Sequence, residues 1–245
     1  MSDALHPSRM GLESLALEDW LKAQPGDEAL LTQRTNLIAA HASDVLAALP
    51  EADAAVAELA ALLNVETTGG SLPTLARLGR AVAEDLCILT AAEDGYRLTA
   101  GVLCFPNRWR LAEKIGGNVL AVHGPVPDYA ASLSAGVDRF MTRLRPDRAF
   151  IRSNWGLVDR ADLFVPEPTP AVDPHGAAHF FFRREDQSFR KLPDSGAVIF
   201  SIRTRTTPWE AVPADRRAAI LATIDGLNTA WLGYKSIDRD RAGRA

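Results

Sequence analysis

Apolar positions in the first third of the chain recur with the spacing of amphipathic helices. Leu37 and Val45 belong to this pattern, in a stretch dominated by Ala, Leu and Glu. Pro50 interrupts it, and the segment GGSLP at residues 69–73 is typical of a turn. The pattern therefore predicts helical structure over residues 27–63, broken at Pro50, and again over residues 73–85.

From residue 86 onward the pattern changes to short apolar runs bounded by Gly, Pro, Asn or Asp. These runs predict strands over residues 86–90, 96–105, 119–123, 150–158, 179–187 and 197–204. The segment Glu93-Asp94-Gly95 predicts a hairpin turn between the first two strands. Two helices are predicted to interrupt the series, over residues 109–115 and 132–144.

A closing helix is predicted at the end of the chain. Thr207 to Glu210 fits a capping box with Pro208 at the first helical position, and an apolar stripe follows Pro213. The chain is therefore expected to have an α+β fold with a largely antiparallel sheet. We expect a single domain over residues 1–245, with a helical wrapping segment (1–85), a sheet core (86–206) and the closing helix (207–237).

Composition narrows the class of protein. The chain has 245 residues, of which 47% are hydrophobic and 24% charged, as in ordinary globular proteins. Its net charge is −4 and its basic residues are scattered, which argues against nucleic-acid binding. No signal-peptide pattern and no apolar run of membrane-spanning length are visible, so a cytoplasmic location away from the membrane is expected.

The two cysteines, Cys87 and Cys104, each lie within an apolar run and are expected to be small buried residues. Their number excludes a disulfide framework or a cysteine-rich zinc site. None of the five histidines stands at metal-ligand spacing from another, so a metal site built from protein side chains alone is disfavoured.

His123 is the histidine with the most unusual surroundings. Strand alternation would place Val119, Ala121 and His123 on one face, where small side chains leave room for a flat ligand. Pro125 and Pro127 stiffen the chain that follows. Local sequence leaves two interpretations equally open: a ligand-binding histidine, or a core histidine bonded to a backbone carbonyl.

Charged residues also occur inside two predicted strands. Arg152 lies among apolar neighbours, and a buried guanidinium needs a carboxylate or a bound anion. Glu185 is the predicted partner, although Arg152 could instead extend to solvent. In the strand predicted over residues 179–187, alternation places Glu185 and Gln187 on the same face as His179.

Seven ordered blocks of the chain resemble the family of haem-dependent oxidative N-demethylases. Several of these blocks contain the infrequent residues Trp, His and Pro, which makes the resemblance specific. The blocks are MGLESL (10–15) with Trp20, AEDLCIL (83–89), CFPNRW (104–109) with EKIG (113–116), VHGPVP (122–127), RSNW (152–155), RREDQSFRKLP (183–193) and SGAVIFSIRT (195–204).

This resemblance implies a PAS-like sheet that binds haem b and its iron. The implied reaction is a monooxygenation of a small methylated secondary amine such as dimethylamine, which uses O₂ and releases formaldehyde. Electrons would come from a separate NADPH-dependent flavin or ferredoxin-type reductase, so a hetero-oligomer is expected. Two alternatives remain: a haem-binding sensor or carrier without turnover, and a haem-free structural partner.

The resemblance also assigns candidate roles to residues around the haem. His123 would be the axial ligand of the haem iron, with His179 as the next candidate. Trp109 would brace the fold, and Lys114 would either do the same or contact a haem propionate.

Four further candidates carry the expected chemistry. Arg152 and Glu185 would be catalytic residues on the distal side of the haem, with Asn154 and Gln187 positioning them.

Two positions depart from the family pattern. Asp186 replaces an arginine of the family's Glu-Arg-Gln motif, and Arg205 replaces a tyrosine after the Ile-Arg-Thr segment. If either position contacts the reductase or the haem propionates, electron delivery or substrate choice would differ from the family pattern.

Overall fold

The fold is α+β, as predicted. The computed structural model describes residues 11–67, 69–122, 124, 126–127, 134–176 and 179–239. The strands are β1 (Glu13–Leu15), β2 (Leu46–Ala48), β3 (Asp85–Ala92), β4 (Gly95–Val102), β5 (Ala149–Val158), β6 (Phe181–Lys191) and β7 (Val198–Pro208). The helices are α1 (Asp27–Ala40), α2 (Ala42–Val45), α3 (Asp53–Leu62), α4 (Ser71–Ala81), α5 (Leu111–Lys114), α6 (Val119–Val122), α7 (Ser134–Arg143), α8 (Ala214–Asp225) and α9 (Thr229–Lys235).

The seven strands form one open antiparallel sheet in the order β1-β5-β6-β7-β3-β4-β2. The predicted hairpin is confirmed, because β3 and β4 are joined through Glu93 and Asp94 with Ala92 opposite Gly95. Gly95 has a φ of +108°, a backbone conformation that favours glycine.

One face of the sheet is covered by the N-terminal helices α1, α3 and α4. Leu59 of α3 and Leu75 and Leu78 of α4 are fully buried in one cluster with Leu86 and Ile88 of β3. In α4 the three-residue spacing of the two leucines puts both on the side that faces the sheet. This layer forms a closed hydrophobic core.

Buried ion pairs join this helical layer to the sheet. Arg34 of α1 contacts Asp85 of β3 at 2.6 Å, and neither side chain is exposed. Arg203 of β7 contacts Asp27 of α1 at 2.6 Å and Glu84, next to β3, at 2.6 Å. Each buried guanidinium here has a carboxylate partner supplied by the protein.

Short elements cover parts of the opposite face. Val119, Met141 and Leu144 pack there in a cluster with Cys87 and Leu89 of β3. Trp155 of β5 and Phe182 of β6 lie at strand positions of the other parity, and they pack in a separate cluster with α8 and α9. The face that carries Cys87 and Leu89 is less continuously filled than the first. Within the described residues no helix combines the length and the apolar character needed to span a membrane.

Several predictions about individual elements are wrong. The predicted strand over residues 119–123 begins instead with the helix α6, because the side chain of Asn118 accepts a hydrogen bond from Ala121 N at 2.9 Å and starts a helical turn. The segment predicted as helical wrapping also supplies both edge strands, β1 and β2. The helix predicted over residues 73–85 ends at Ala81, and Asp85 begins β3.

The predicted closing helix over residues 207–237 is also wrong as a single element. Strand β7 continues to Pro208, which lies opposite Phe181, so the predicted capping box belongs to a strand end and a 3-10 turn. Two helices follow, α8 and α9, and the side chain of Asn228 accepts a hydrogen bond from Trp231 N at the start of α9. Sheet pairing outweighs the local helix-start signal.

Candidate functional site

A cavity of about 300 Å³ lies between the less filled face of the sheet and the helices α5, α6, α7 and α9. Its volume is at the lower end of the range for small-molecule sites. The described lining residues are Leu12, Cys87, Leu89, Leu98, Asn107, Arg108, Trp109, Lys114, Val119, Val122, Val126, Val137, Phe140, Met141, Arg152, Asn154, Glu185, Gln187, Phe189, Phe200, Ile202, Trp231, Tyr234 and Lys235.

The sheet register sorts the sheet-derived lining residues into an apolar and a polar end. Phe189 lies opposite Phe200, and their rings stack with centroids 4.9 Å apart. Further along β5 and β6, Arg152 lies opposite Gln187 and Asn154 opposite Glu185. The two-residue periodicity of the strands therefore carries the lining from aromatic to charged along one face.

Glu185 is held by several donors. Its Oε2 accepts hydrogen bonds from Gln187 Nε2 at 3.1 Å and from Asn154 Nδ2 at 3.4 Å. Its Oε1 accepts from Arg183 Nε at 3.2 Å. These contacts fix the orientation of the carboxylate, which is 13% exposed. A carboxylate in this position can still accept hydrogen bonds from a ligand.

Sequence reasoning did not identify Arg183 as the partner of Glu185. Arg183 is buried and also donates to the carbonyl oxygens of Phe105, at 2.6 Å, and Leu163, at 3.2 Å. It therefore ties the carboxylate to the chain segments that contain Phe105 and Leu163. Its position two residues before Glu185 on the same strand face was the available signal.

Lys235 is a buried cation that sequence reasoning missed. It ends α9, is 3% exposed, and donates from Nζ to the carbonyl oxygen of Trp155 at 2.5 Å. Its Nζ also lies 4.5 Å from the centroid of the Trp155 ring. Burial lowers the pKa of Lys235 to about 7; Glu185 acts against this effect, and Arg108 and Arg152 act with it.

Arg108 is a second missed residue, although it lies within the CFPNRW block. Its φ is +62°, an uncommon backbone conformation for a long side chain. The guanidinium donates to Ser236 Oγ, and the backbone N donates to the carbonyl oxygen of Val165 at 2.6 Å. Burial lowers the pKa of Arg108, while Tyr234 and Glu185 favour its charged form.

Two neutral polar residues complete the polar end. The side-chain oxygen of Asn107 is buried and has no hydrogen-bond partner within the described part of the chain. Burial raises the pKa of the Tyr234 hydroxyl, and the charge of Glu185 acts in the same direction. Neither residue was singled out from the sequence as a site residue.

The apolar end is formed by aliphatic and aromatic side chains. Burial raises the pKa of the Cys87 thiol to about 12, so this residue is a neutral wall of the cavity at ordinary pH. Phe140 makes edge-to-face contacts with Phe150 and Phe189, with ring centroids 5.4 and 5.5 Å apart.

The structure brings five of the predicted site residues to this cavity: Lys114, Arg152, Asn154, Glu185 and Gln187. His123 lies outside the described residues, directly after Val122, which lines the cavity. His179 is exposed, precedes β6, and is not part of the described lining. Trp109, predicted to brace the fold, also lines the cavity.

A partly enclosed cavity on an antiparallel sheet, apolar at one end and charged at the other, is typical of proteins that bind a small molecule or a cofactor. The family model described as "Haem-dependent oxidative N-demethylase, alpha subunit-like" matches residues 63–242. The chain therefore belongs to this family, as the sequence blocks suggested. No curated protein matches the chain.

The lining residues match haem in chemical character. A porphyrin needs apolar walls, which Leu89, Phe140 and Phe200 contribute, and its two propionates need cationic partners. Arg108, Arg152, Lys114 and Lys235 are the cations available in the described lining. The donor set at the polar end is therefore compatible with the haem dependence that the family name states.

Proposed function

We propose that this chain is the haem b-binding subunit of a monooxygenase that demethylates a small secondary amine such as dimethylamine. The observation that carries the proposal is the Glu185 carboxylate, which two amides and Arg183 hold at the polar end of a cavity whose other end is apolar. Membership in the haem-dependent oxidative N-demethylase family supplies the reaction class.

Haem, when bound, supplies the oxygen and electron-transfer chemistry. In this proposal His123 would bind the haem iron, because it follows Val122 of the cavity wall in the sequence and belongs to a family-like block. Arg152 and Lys114 offer hydrogen bonds to anionic oxygens. The overall reaction takes up O₂, electrons and protons and yields the demethylated amine, formaldehyde and water.

Glu185 recognises the substrate in this proposal. A secondary alkylamine is cationic near pH 7, and a carboxylate oxygen accepts hydrogen bonds from its N–H groups. Gln187 and Asn154 keep Glu185 Oε2 in place, so that the substrate is held in one orientation. The same carboxylate is available for proton transfer at Oε1, which accepts one hydrogen bond from Arg183.

Electrons are proposed to come from an NADPH-dependent flavin or ferredoxin-type reductase on another chain. The words "alpha subunit-like" in the family description support an assembly with other subunits. A haem-binding sensor or carrier, and a haem-free structural partner, are the alternative outcomes of the experiment below.

The experiment combines absorption spectroscopy with formaldehyde release from dimethylamine in the presence of O₂, NADPH and a reductase. We expect a Soret band and formaldehyde for the wild type. Glu185→Gln is expected to keep the Soret band and lower the rate by about 10²–10⁴-fold, because the amide neither pairs with an ammonium nor accepts a proton. Glu210→Gln, at an exposed position, is the matched control.

Three results would contradict parts of this proposal. A Soret band without formaldehyde would favour the sensor or carrier. Absence of a Soret band after reconstitution with hemin would favour the structural partner. An unchanged haem spectrum in His123→Ala would remove the ligand assignment, and His179→Ala would then be measured beside it.

A further inference from the structure

Cationic side chains outnumber carboxylates at the polar end of the cavity among the described lining residues. Arg108, Lys114 and Lys235 lie there with Arg152, and the carboxylate is that of Glu185. That carboxylate already forms an ion pair with Arg183, which is not one of the described lining residues. Lys235 is 3% exposed, and a buried cation is stabilised by compensating negative charge, so an anionic ligand suits this end of the cavity.

The side chain of Arg108 reaches the end of α9, next to the position of Lys235 in the chain. Arg108 donates to Ser236 Oγ, the hydroxyl of the residue that follows Lys235. An ammonium has three N–H donors, and the hydrogen bond to Trp155 O uses one donor of Lys235. Within the described part of the chain its remaining donors have no acceptor. Both cations therefore retain donors for a ligand.

The backbone at Arg108 supports a binding role for its side chain. A φ of +62° costs energy for a residue with a Cβ, and such conformations concentrate at ligand sites. The hydrogen bond from Arg108 N to the Val165 carbonyl at 2.6 Å holds this conformation. The neighbours of Arg108 in the chain, Asn107 and Trp109, also line the cavity.

We propose that Arg108 and Lys235 form a carboxylate-binding subsite in this cavity, with Arg152 contributing to its positive field. A carboxylate matches both the guanidinium and the ammonium, whereas the ammonium group of a substrate is matched by Glu185. The carboxylate comes either from a haem propionate or from an N-methylated amino acid whose ammonium binds Glu185. The second source rests on the proposed function and narrows its substrate class.

The test uses hemin and hemin dimethyl ester, in which both propionates are masked. Haem-free wild type, Lys235→Met and Arg108→Gln are titrated with each compound, and binding is followed by the Soret band. If the subsite holds a propionate, each variant is expected to lose about tenfold or more in hemin affinity and little in affinity for the ester. Lys22→Met and Arg145→Gln, both at exposed side chains, are the controls.

The second arm uses the haem-loaded proteins and compares N,N-dimethylglycine with dimethylamine. If the subsite holds a substrate carboxylate, both variants keep wild-type hemin affinity but lose the Soret shift caused by N,N-dimethylglycine. The shift caused by dimethylamine is retained. Arg108→Lys, which keeps the charge, is expected to restore part of the loss and guards against a folding defect of Arg108→Gln.

The proposal is overturned if wild type and variants bind hemin, its ester and N,N-dimethylglycine alike. If the wild type takes up neither hemin nor its ester, the proposed function fails, and the subsite is tested separately on the haem-free protein. Calorimetric binding of N,N-dimethylglycine that Lys235→Met abolishes would then support the subsite, and absence of binding would overturn it.

Discussion

The two faces of the sheet differ in the balance of cationic and anionic side chains. On the face covered by α1, α3 and α4, Arg34 pairs with Asp85, and Arg203 pairs with Asp27 and Glu84. On the cavity face, cations exceed carboxylates among the described lining residues. Buried ion pairs hold the layers of the fold together, whereas the larger number of cations in the described cavity lining supports the proposed carboxylate subsite.

The largest expected effect comes from removing one partner of a buried ion pair on the face covered by α1, α3 and α4. Arg34→Met leaves the Asp85 carboxylate without its guanidinium partner, at a position where neither side chain is exposed to solvent. We expect a loss of about 3–5 kcal/mol in the free energy of unfolding, because an uncompensated buried charge remains. Urea denaturation followed by circular dichroism measures this loss.

A surface ion pair provides the matched control. Arg77 contacts Glu66 at 2.8 Å, and both side chains are well exposed. Arg77→Met is expected to change the free energy of unfolding by about 1 kcal/mol or less. Equal losses in the two variants would contradict the structural role assigned to the Arg34–Asp85 pair.

Removing a buried charge from the cavity face is expected to raise the free energy of unfolding instead of lowering it. Lys235→Met removes a buried ammonium and leaves an apolar chain of similar length against Trp155. In the ligand-free protein we expect stabilisation of about 1–4 kcal/mol at pH 6. Thermal unfolding of wild type and variant measures the difference. A destabilised variant would mean that the ammonium supports the fold rather than a ligand.

The pH dependence sharpens this comparison. The pKa of Lys235 is about 7 in the folded protein and 10.5 in its ordinary state, so the unfolded chain binds more protons between these values. Wild-type stability is therefore expected to gain a contribution from Lys235 as the pH rises from 7 to about 10. Because Glu185, Tyr234, Arg108 and Arg152 also act here, the measurement is the difference between wild type and Lys235→Met. A pH-independent difference would contradict the lowered pKa.

The smallest expected effect concerns the orientation of Glu185. Gln187→Leu removes the hydrogen bond to Oε2 at 3.1 Å but keeps the bond from Asn154. One lost hydrogen bond corresponds to about two- to tenfold in the proposed demethylation rate. Steady-state formaldehyde release measures it. A loss as large as that of Glu185→Gln would show that Gln187 has a direct role in the reaction.

The sequence predicted which residues line the cavity better than it predicted which side chains contact one another there. Lys114, Arg152, Asn154, Glu185 and Gln187 all line it, because a strand places alternate residues on one face whatever its partners are. The expected ion pair of Glu185 with Arg152 stays a prediction. The structure shows two neighbours of Glu185 that the sequence did not identify, because it places Asn154 opposite Glu185 and brings Arg183 to its carboxylate.

The sequence by itself determined the α+β class, the hairpin at Gly95 and the family, since these depend on local periodicity, turn chemistry and ordered motifs. Only the tertiary structure decided that Lys235 and Arg108, more than a hundred residues apart, share one cavity. It also decided that residues 207 and 208 extend a strand, because pairing with β6 outweighs the capping signal. Local patterns specify which face a side chain occupies, and packing between distant segments specifies what that side chain meets.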